Sequence, residues 1–126
     1  MPTNNIKPTA AELRILQQLW KVGPQSVRAV HAALAEEKPV VYTTVLKTMQ
    51  LMHQSGLLER DSSGRAHIYT AAVERESIQD SLLDNFLHRT FSGSTMSLVM
   101  RALGNHKASK AELDELKAFI RKMEDE

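Results

Sequence analysis

The residues best suited to chemistry lie between Tyr42 and Gly56, where the spacing predicts a helix with two different faces. At 100° per residue the polar side chains gather on one side, which contains one positive charge and no carboxylate. These side chains are Thr43, Thr44, Lys47, Gln50 and Gln54. Hydroxyl, amide and ammonium groups donate to phosphate oxygens and to base edges in a major groove. The alternative is a polar, solvated helix face, and the helix alone leaves both interpretations open.

Two earlier helices are predicted to support this one. Thr9–Glu12 fits a capping box, so a first helix begins at about Ala10, and Gly23-Pro24 ends it. Ser26 is suited to cap a second, shorter helix, which stops before Pro39. The β-branched pair Val40-Val41 predicts a short strand or a tight connection. The polar-faced helix is then the third of three.

A β-hairpin is predicted directly after the third helix. Leu57–Arg60 is typical of a strand, Asp61–Gly64 of a tight turn and Arg65–Thr70 of the returning strand. Three helices followed by a hairpin form a winged helix-turn-helix, in which the third helix enters the major groove and the hairpin crosses the backbone. Arg65, beside the turn, is the cation that such a wing needs, although hairpin turns also attract charge for solubility alone.

The last part of the chain contains three more amphipathic helical patterns. They run from Val73 to about Phe91, from Thr95 to Leu103 before a stop at Gly104-Asn105, and onward from a cap at Ser109. Three short helices bury little surface by themselves, so their apolar stripes predict a partner, and a second copy is the simplest one. The expected dimer contacts are Ile78, Leu82, Phe86, Val99, Leu103, Leu113, Leu116 and Ile120.

The predicted fold class is therefore mainly α with a small β-hairpin. A winged helix-turn-helix domain is expected over residues 1–72 and a three-helix dimerisation region over residues 73–126. The first part has eight Lys or Arg and five Asp or Glu, a net charge of +3, whereas the second has eight and ten, a net charge of −2. The basic excess thus accompanies the polar-faced helix, which favours nucleic acid as its partner.

Composition limits the cellular setting. The sequence has no cysteine, which excludes disulfides and thiolate metal sites. Its beginning lacks the basic and apolar segments of a signal peptide, and no apolar run approaches the roughly 20 residues of a membrane span. We therefore expect a soluble, cytoplasmic protein.

Several motifs together give the sequence a family resemblance. They are Thr9–Glu12 with Leu13, Leu16 and Trp20, Tyr42–Val45, Gly56–Leu58, and Gly64-Arg65 with Tyr69. In this combination the chain resembles, over nearly its whole length, the penicillinase repressor (BlaI/MecI/CopY) family of bacterial transcriptional regulators. The resemblance implies a homodimeric winged-helix repressor that occupies a two-fold-symmetric operator. It also implies base contacts at Thr43, Thr44 and Lys47 and a wing contact at Arg65.

The sequence departs from the family in the features that relieve repression. Antibiotic-responsive members of the family are inactivated when a membrane sensor protease cuts an Asn-Phe bond, but the nearest segment here, Val99–Leu103, has no such pair. The copper-responsive branch uses C-terminal cysteines, which this chain lacks. A sensor protease is therefore left open as a partner, and the inducing signal stays unassigned.

Other function classes have weaker support in the sequence. A metal-responsive repressor would need ligands from His31, His53, His67, His88 and His106 with Asp80, Asp84 and Glu112, but no two histidines have a helical ligand spacing. A winged helix that docks protein is a further alternative. There is no Gly-rich phosphate loop, nucleophile elbow or credible carboxylate pair. We therefore expect no enzyme activity, no cofactor and no metal.

Overall fold

The structure, a computed structural model, describes residues 7–126 as six helices and three short strands. The elements, in chain order, are α1 (Ala10–Val22), β1 (Gln25–Ser26), α2 (Val27–Glu37), α3 (Tyr42–Gln54), β2 (Leu58–Asp61), β3 (Ile68–Ala71), α4 (Arg75–Phe91), α5 (Thr95–Asn105) and α6 (Lys110–Glu124). The predicted fold class, mainly α with a small hairpin after three helices, is confirmed.

The first two helices begin at the capping residues that the sequence predicted. The backbone N–H of Glu12 donates to the Thr9 hydroxyl at 3.2 Å, and the Glu12 carboxylate accepts from the Thr9 N–H at 2.9 Å. The Ser26 hydroxyl accepts from the Ala29 N–H at 3.2 Å and caps α2. At the other end of α2, a nitrogen of the Arg14 guanidinium donates to the Leu34 carbonyl at 3.1 Å, which ties α1 to α2.

The third helix, α3, buries the apolar face that its periodicity predicted. Val45, Met49 and Met52 are buried on this face. Gly56 ends the helix with a φ of +90°, a conformation that glycine adopts at little cost. The chain can then turn directly into β2, where Leu58 is buried.

The sheet has one strand that the sequence did not predict. Its order is β1-β3-β2 and both pairs are antiparallel, with Gln25 opposite Tyr69 and Leu58 opposite Ala71. Of the two alternatives predicted for Val40-Val41, a short strand or a tight connection, the structure has the connection, which leads from α2 to α3. Within this connection the Val40 carbonyl accepts a hydrogen bond from Nε2 of His31 at 2.8 Å.

The first compact unit extends through Leu83. Val73 and Ile78 are buried in the same cluster as the buried residues of α1, α2 and α3. The indole N–H of Trp20 donates to the Val73 carbonyl at 3.0 Å. The start of α4 therefore completes the core of the winged-helix unit, and a winged-helix domain that ends at residue 72 remains a prediction from sequence.

The second compact unit comprises Asp84–Glu126. Ser92 and Gly93, with φ of +52° and +83°, interrupt the chain after α4, and Ser94 caps α5 by accepting from the Ser97 N–H. The predicted end of α5 is slightly early, since the helix continues through Gly104 and Asn105 instead of stopping there. A capping box between Ser109 and Glu112 starts α6, and its hydrogen bonds lower the pKa of the Glu112 carboxyl. Neither α5 nor α6 contains a buried residue.

The burial of α4 gives a direct test of where the first unit ends. Ile78→Ala should lower the free energy of unfolding of this unit by about 2 to 5 kcal/mol, because the isoleucine is fully buried and its loss leaves a cavity. The neighbouring residue Gln79 is exposed and provides the control. Gln79→Ala should change the free energy of unfolding by less than about 0.5 kcal/mol. Urea unfolding followed by the fluorescence of Trp20, the single tryptophan, measures both. Equal midpoints for the two variants would contradict a core that includes α4.

Candidate nucleic-acid interface

The exposed face of α3 is the centre of the candidate site. Thr43, Thr44, Lys47 and Gln50 are all exposed, and their helix is fixed by the burial of its opposite side. Thr48 is half-buried, and its hydroxyl is already used because it donates to the Thr44 carbonyl at 2.8 Å. Gln54, at the end of α3, is exposed as well. The side chains left to meet a ligand are thus two hydroxyls, an ammonium and two amides, a set that suits both base edges and phosphates.

The first turn of α3 has an uncompensated positive end. Val41 occupies the N-cap position without a side-chain hydrogen bond, and the first turn contains no acidic residue. A helix N-terminus of this kind attracts anions. A phosphate beside α3 would therefore be favoured by backbone as well as side-chain groups.

Residues of α2 fix the start of α3. His31 bonds to the Val40 carbonyl, and its ring meets that of Tyr42 edge-on, with centroids 5.5 Å apart and an angle of 85° between the rings. Tyr42 is the first residue of α3. Because α3 has no side-chain cap, these contacts hold its N-terminal turn against α2.

The wing differs from the sequence prediction at Arg65. This residue was expected to begin the returning strand, but β3 begins at Ile68, so Arg65 lies in the loop between the strands and is exposed. The physical reason is the turn before it, where the Ser63 N–H donates to the Asp61 carboxylate at 2.9 Å. That turn and Gly64 widen the loop and leave Arg65 outside the strand ladder.

The same hydrogen bonds affect the charge of the wing. Bonds from the Ser63 hydroxyl and N–H lower the pKa of Asp61 below its ordinary value. The carboxylate therefore stays charged at neutral pH. Any stabilisation of the turn is present above the unfolded-state pKa of Asp61 and is lost as the pH falls through the lower folded-state value.

A groove of about 400 Å³ lies between α2, α3 and the wing. Gln50 and Arg65, which were predicted separately as a contact of the third helix and a contact of the wing, both line this groove. Arg28 and His67 also line it. From the sequence His67 was considered only as a possible metal ligand, and Arg28 was not assigned to a site. The position of Arg28 could have been noticed in the sequence, because it is a cation two residues after the predicted cap Ser26, in a helical turn without a carboxylate. Thr43, Thr44 and Lys47 lie on α3 outside the lining of the groove.

The predicted dimer contacts fall in both compact units. Ile78 is fully buried within the first unit and has no surface to offer a second copy, and Leu82 packs against the same core. In the second unit, Phe86, Val99, Leu103, Leu113 and Ile120 are exposed, and Leu116 is half-buried. Met96, Met100, Phe119 and Met123 are also exposed there.

Three of the five histidines considered as metal ligands make other contacts. His31 bonds to a backbone carbonyl, His53 meets the Tyr69 ring at 6.4 Å, and His88 lies 3.6 Å from the Asp84 carboxylate. Within residues 7–126, no three His, Asp or Glu side chains are grouped so as to hold a metal ion. In the same part of the chain, no helix is both long and apolar enough to cross a membrane.

Curated relatives of this chain are regulators. The transcriptional regulator BlaI of Mycobacterium tuberculosis (strain CDC 1551 / Oshkosh) is 28% identical over 103 residues, which cover 80% of this chain and 75% of the relative. The penicillinase repressor of Bacillus licheniformis is 24% identical over 84% of this chain and 83% of its own length. The methicillin resistance regulatory protein MecI of Staphylococcus aureus (strain N315) is 20% identical over 97% of this chain and 99% of its own length.

Two solved structures share the fold. The solution structure of the DNA binding domain of the repressor BlaI has a TM-score of 0.50 and 20% identity, covering 57% of this chain and 93% of that domain. The complex structure of hsRosR-S4 has a TM-score of 0.53 and 16% identity, covering 96% of this chain and 93% of the other. At these identities the likeness shows the fold, and the predicted winged helix is confirmed.

The family follows from a match over almost the entire sequence. The sequence model described as "Penicillinase repressor" matches residues 8–122, which include every helix and strand up to the last turn of α6. This match confirms the resemblance drawn from the motifs. The chain belongs to the penicillinase repressor family.

Proposed function

We propose that this protein is a homodimeric bacterial transcriptional repressor that binds a two-fold-symmetric operator through α3 and the wing. The observation that carries the proposal is the exposed face of α3, which has hydrogen-bonding groups, one ammonium and no carboxylate, and which adjoins a groove lined by Arg65. The curated relatives, which are named as repressors and regulators, support the same role.

In this proposal α3 reads the bases. Thr43, Thr44 and Lys47 lie on its first two turns, where a recognition helix in the major groove places its contacts. Gln50 is one turn further on and has the paired donor and acceptor that suit adenine. The uncapped N-terminus of α3 favours a backbone phosphate nearby.

The wing contributes affinity without sequence preference. Arg65 is exposed in the loop and lines the groove beside α3. A guanidinium in this position is suited to a phosphate, and phosphate contacts act on every DNA sequence alike.

Dimerisation is assigned to the second unit. Its exposed apolar side chains recur at helical spacing on α5 and α6, and an exposed apolar surface of this kind marks an interaction site. The proposed contacts are Phe86, Val99, Leu103, Leu113, Leu116 and Ile120, with Leu82 kept from the sequence prediction. Ile78 is left out because it is fully buried. A two-fold dimer would present two copies of α3 to two half-sites.

The first test separates base contacts from phosphate contacts. Operator fragments are first selected from genomic DNA by the purified protein. Thr44→Ala or Gln50→Ala should then reduce the preference for the selected operator over scrambled DNA by about 1 to 3 kcal/mol, because a base contact is lost. Arg65→Ala should weaken binding to both DNAs and lower the slope of log K against log salt by about 1.

Lys21→Ala is the matched control for Arg65→Ala. Lys21 is an exposed cation in the last turn of α1 and does not line the groove, so its loss changes the net charge equally. Salt titrations by mobility shift compare the variants. If Arg65→Ala binds both DNAs like the parent at every salt concentration, the role of the wing is wrong.

The second test concerns the dimer. The full chain should sediment as a dimer, whereas a fragment ending at Leu83, the end of the first compact unit, should be a monomer. Joining two DNA-binding units makes the second contact intramolecular and raises affinity by about 10² to 10⁴, so the fragment should lose operator affinity by that factor. Ile120→Asp should reproduce the loss, because it places a charge in the proposed apolar contact.

Ala118→Asp controls for the added charge. It is an exposed residue of α6 that lies roughly 150° around the helix from the line of Leu113, Leu116 and Ile120. Analytical centrifugation and mobility shifts are run on all four proteins. A monomeric fragment that binds the operator as tightly as the full chain would remove the dimer from the mechanism.

A further inference from the structure

The groove between α2, α3 and the wing has a one-sided distribution of charge. Arg28 contributes a positive charge from α2 and Arg65 contributes one from the wing, where His67 adds a hydrogen-bonding imidazole. Among the described residues that line the groove there is no carboxylate. A concave surface with two guanidiniums concentrates positive potential and attracts an anion.

Arg28 is available for such a contact. It is exposed in the first turn of α2, directly after the Val27 that follows the Ser26 cap. Within residues 7–126, neither Arg28 nor Arg65 forms an ion pair with a carboxylate. The first turn of α2 also contains no acidic residue, so nothing in that turn offsets the guanidinium.

Part of the remaining lining of the groove is apolar. Leu46 is half-buried and Tyr42 is 39% exposed, and both face the groove from α3. Apolar and aromatic side chains of this kind suit the carbon face of a deoxyribose, while the cations suit the phosphates on either side of it. The mixture therefore matches the alternation of sugar and phosphate along a DNA strand.

We propose that this groove holds the sugar-phosphate backbone of the DNA strand that passes between α2 and the wing, with Arg28 and His67 as phosphate contacts in addition to Arg65. The inference rests on the proposed function and deepens it. Gln50 lines the same groove from the base-reading face of α3, so a duplex read by α3 brings a backbone strand to the groove. Phosphates held there would fix the position of α3 over its bases.

The experiment uses the full chain and a random-sequence duplex of about 30 base pairs, because phosphate contacts do not depend on sequence. Each lost phosphate contact lowers the salt slope by about 0.9, so the affinity advantage of the parent over Arg28→Ala should shrink about 3.5-fold between 50 and 200 mM salt. Arg28→Lys keeps the charge and should retain most of the slope.

Two further comparisons make the result specific. Lys21→Ala, which removes a cation outside the groove, should leave the slope close to that of the parent. His67→Ala should weaken binding, and His67→Gln, which keeps a hydrogen-bond donor, should recover part of it. Circular dichroism checks that each variant is folded, as expected for substitutions of exposed side chains.

The outcomes distinguish this inference from the proposed function. If the parent binds the duplex with a salt-dependent affinity and Arg28→Ala matches it at every salt concentration, the groove does not hold the backbone, although the protein still binds DNA. If the parent binds neither this duplex nor any genomic fragment, both proposals are overturned. A reduced slope for Arg28→Ala with an unchanged slope for Lys21→Ala supports the groove.

Discussion

The winged-helix unit depends on the burial of one face of α3. Val45, Met49 and Met52 are at most 2% exposed, and each such side chain contributes about 1.5 to 3 kcal/mol when it is removed from water. A rotation of α3 that exposed them would cost more than any hydrogen bond made by its polar face could return. The core therefore decides which side of α3 meets solvent, and Thr43, Thr44 and Lys47 are presented outward as a consequence.

The same constraint explains why the support around α3 is so specific. His31 holds the Val40 carbonyl and the ring of Tyr42, and the Trp20 indole holds the Val73 carbonyl. In both cases a side chain bonds to the backbone of a segment that leads into a helix, Val40 before α3 and Val73 before α4. These bonds fix the direction in which the chain enters α3 and α4, and so they help the core to position the exposed face of α3.

Periodicity and capping predicted most of the fold from the sequence. Four helices begin where a capping side chain bonds to nearby backbone, at Thr9, Ser26, Ser94 and Ser109, and α3 ends at Gly56 because glycine adopts a positive φ at little cost. These effects act within a few residues, so the local sequence contains the information.

What the sequence did not predict depends on contacts between distant segments. Strand β1 exists because Gln25 and Ser26 meet β3 more than forty residues later. The grouping of Arg28 with Gln50 and Arg65 requires three elements to be in place, and the burial of Ile78 required the core to continue into α4. The family resemblance indicated the recognition helix, but it did not indicate Arg28 or His67.

The central claim is that two copies of α3 read two major grooves of one operator. Methylation interference on a selected genomic fragment tests it most directly, because methylation of guanine N7 blocks contacts in the major groove. The account predicts two clusters of interfering guanines, related by two-fold symmetry and separated by about 10 base pairs or a multiple of that distance. A single cluster without symmetry, or strong binding that no major-groove methylation disturbs, would contradict it.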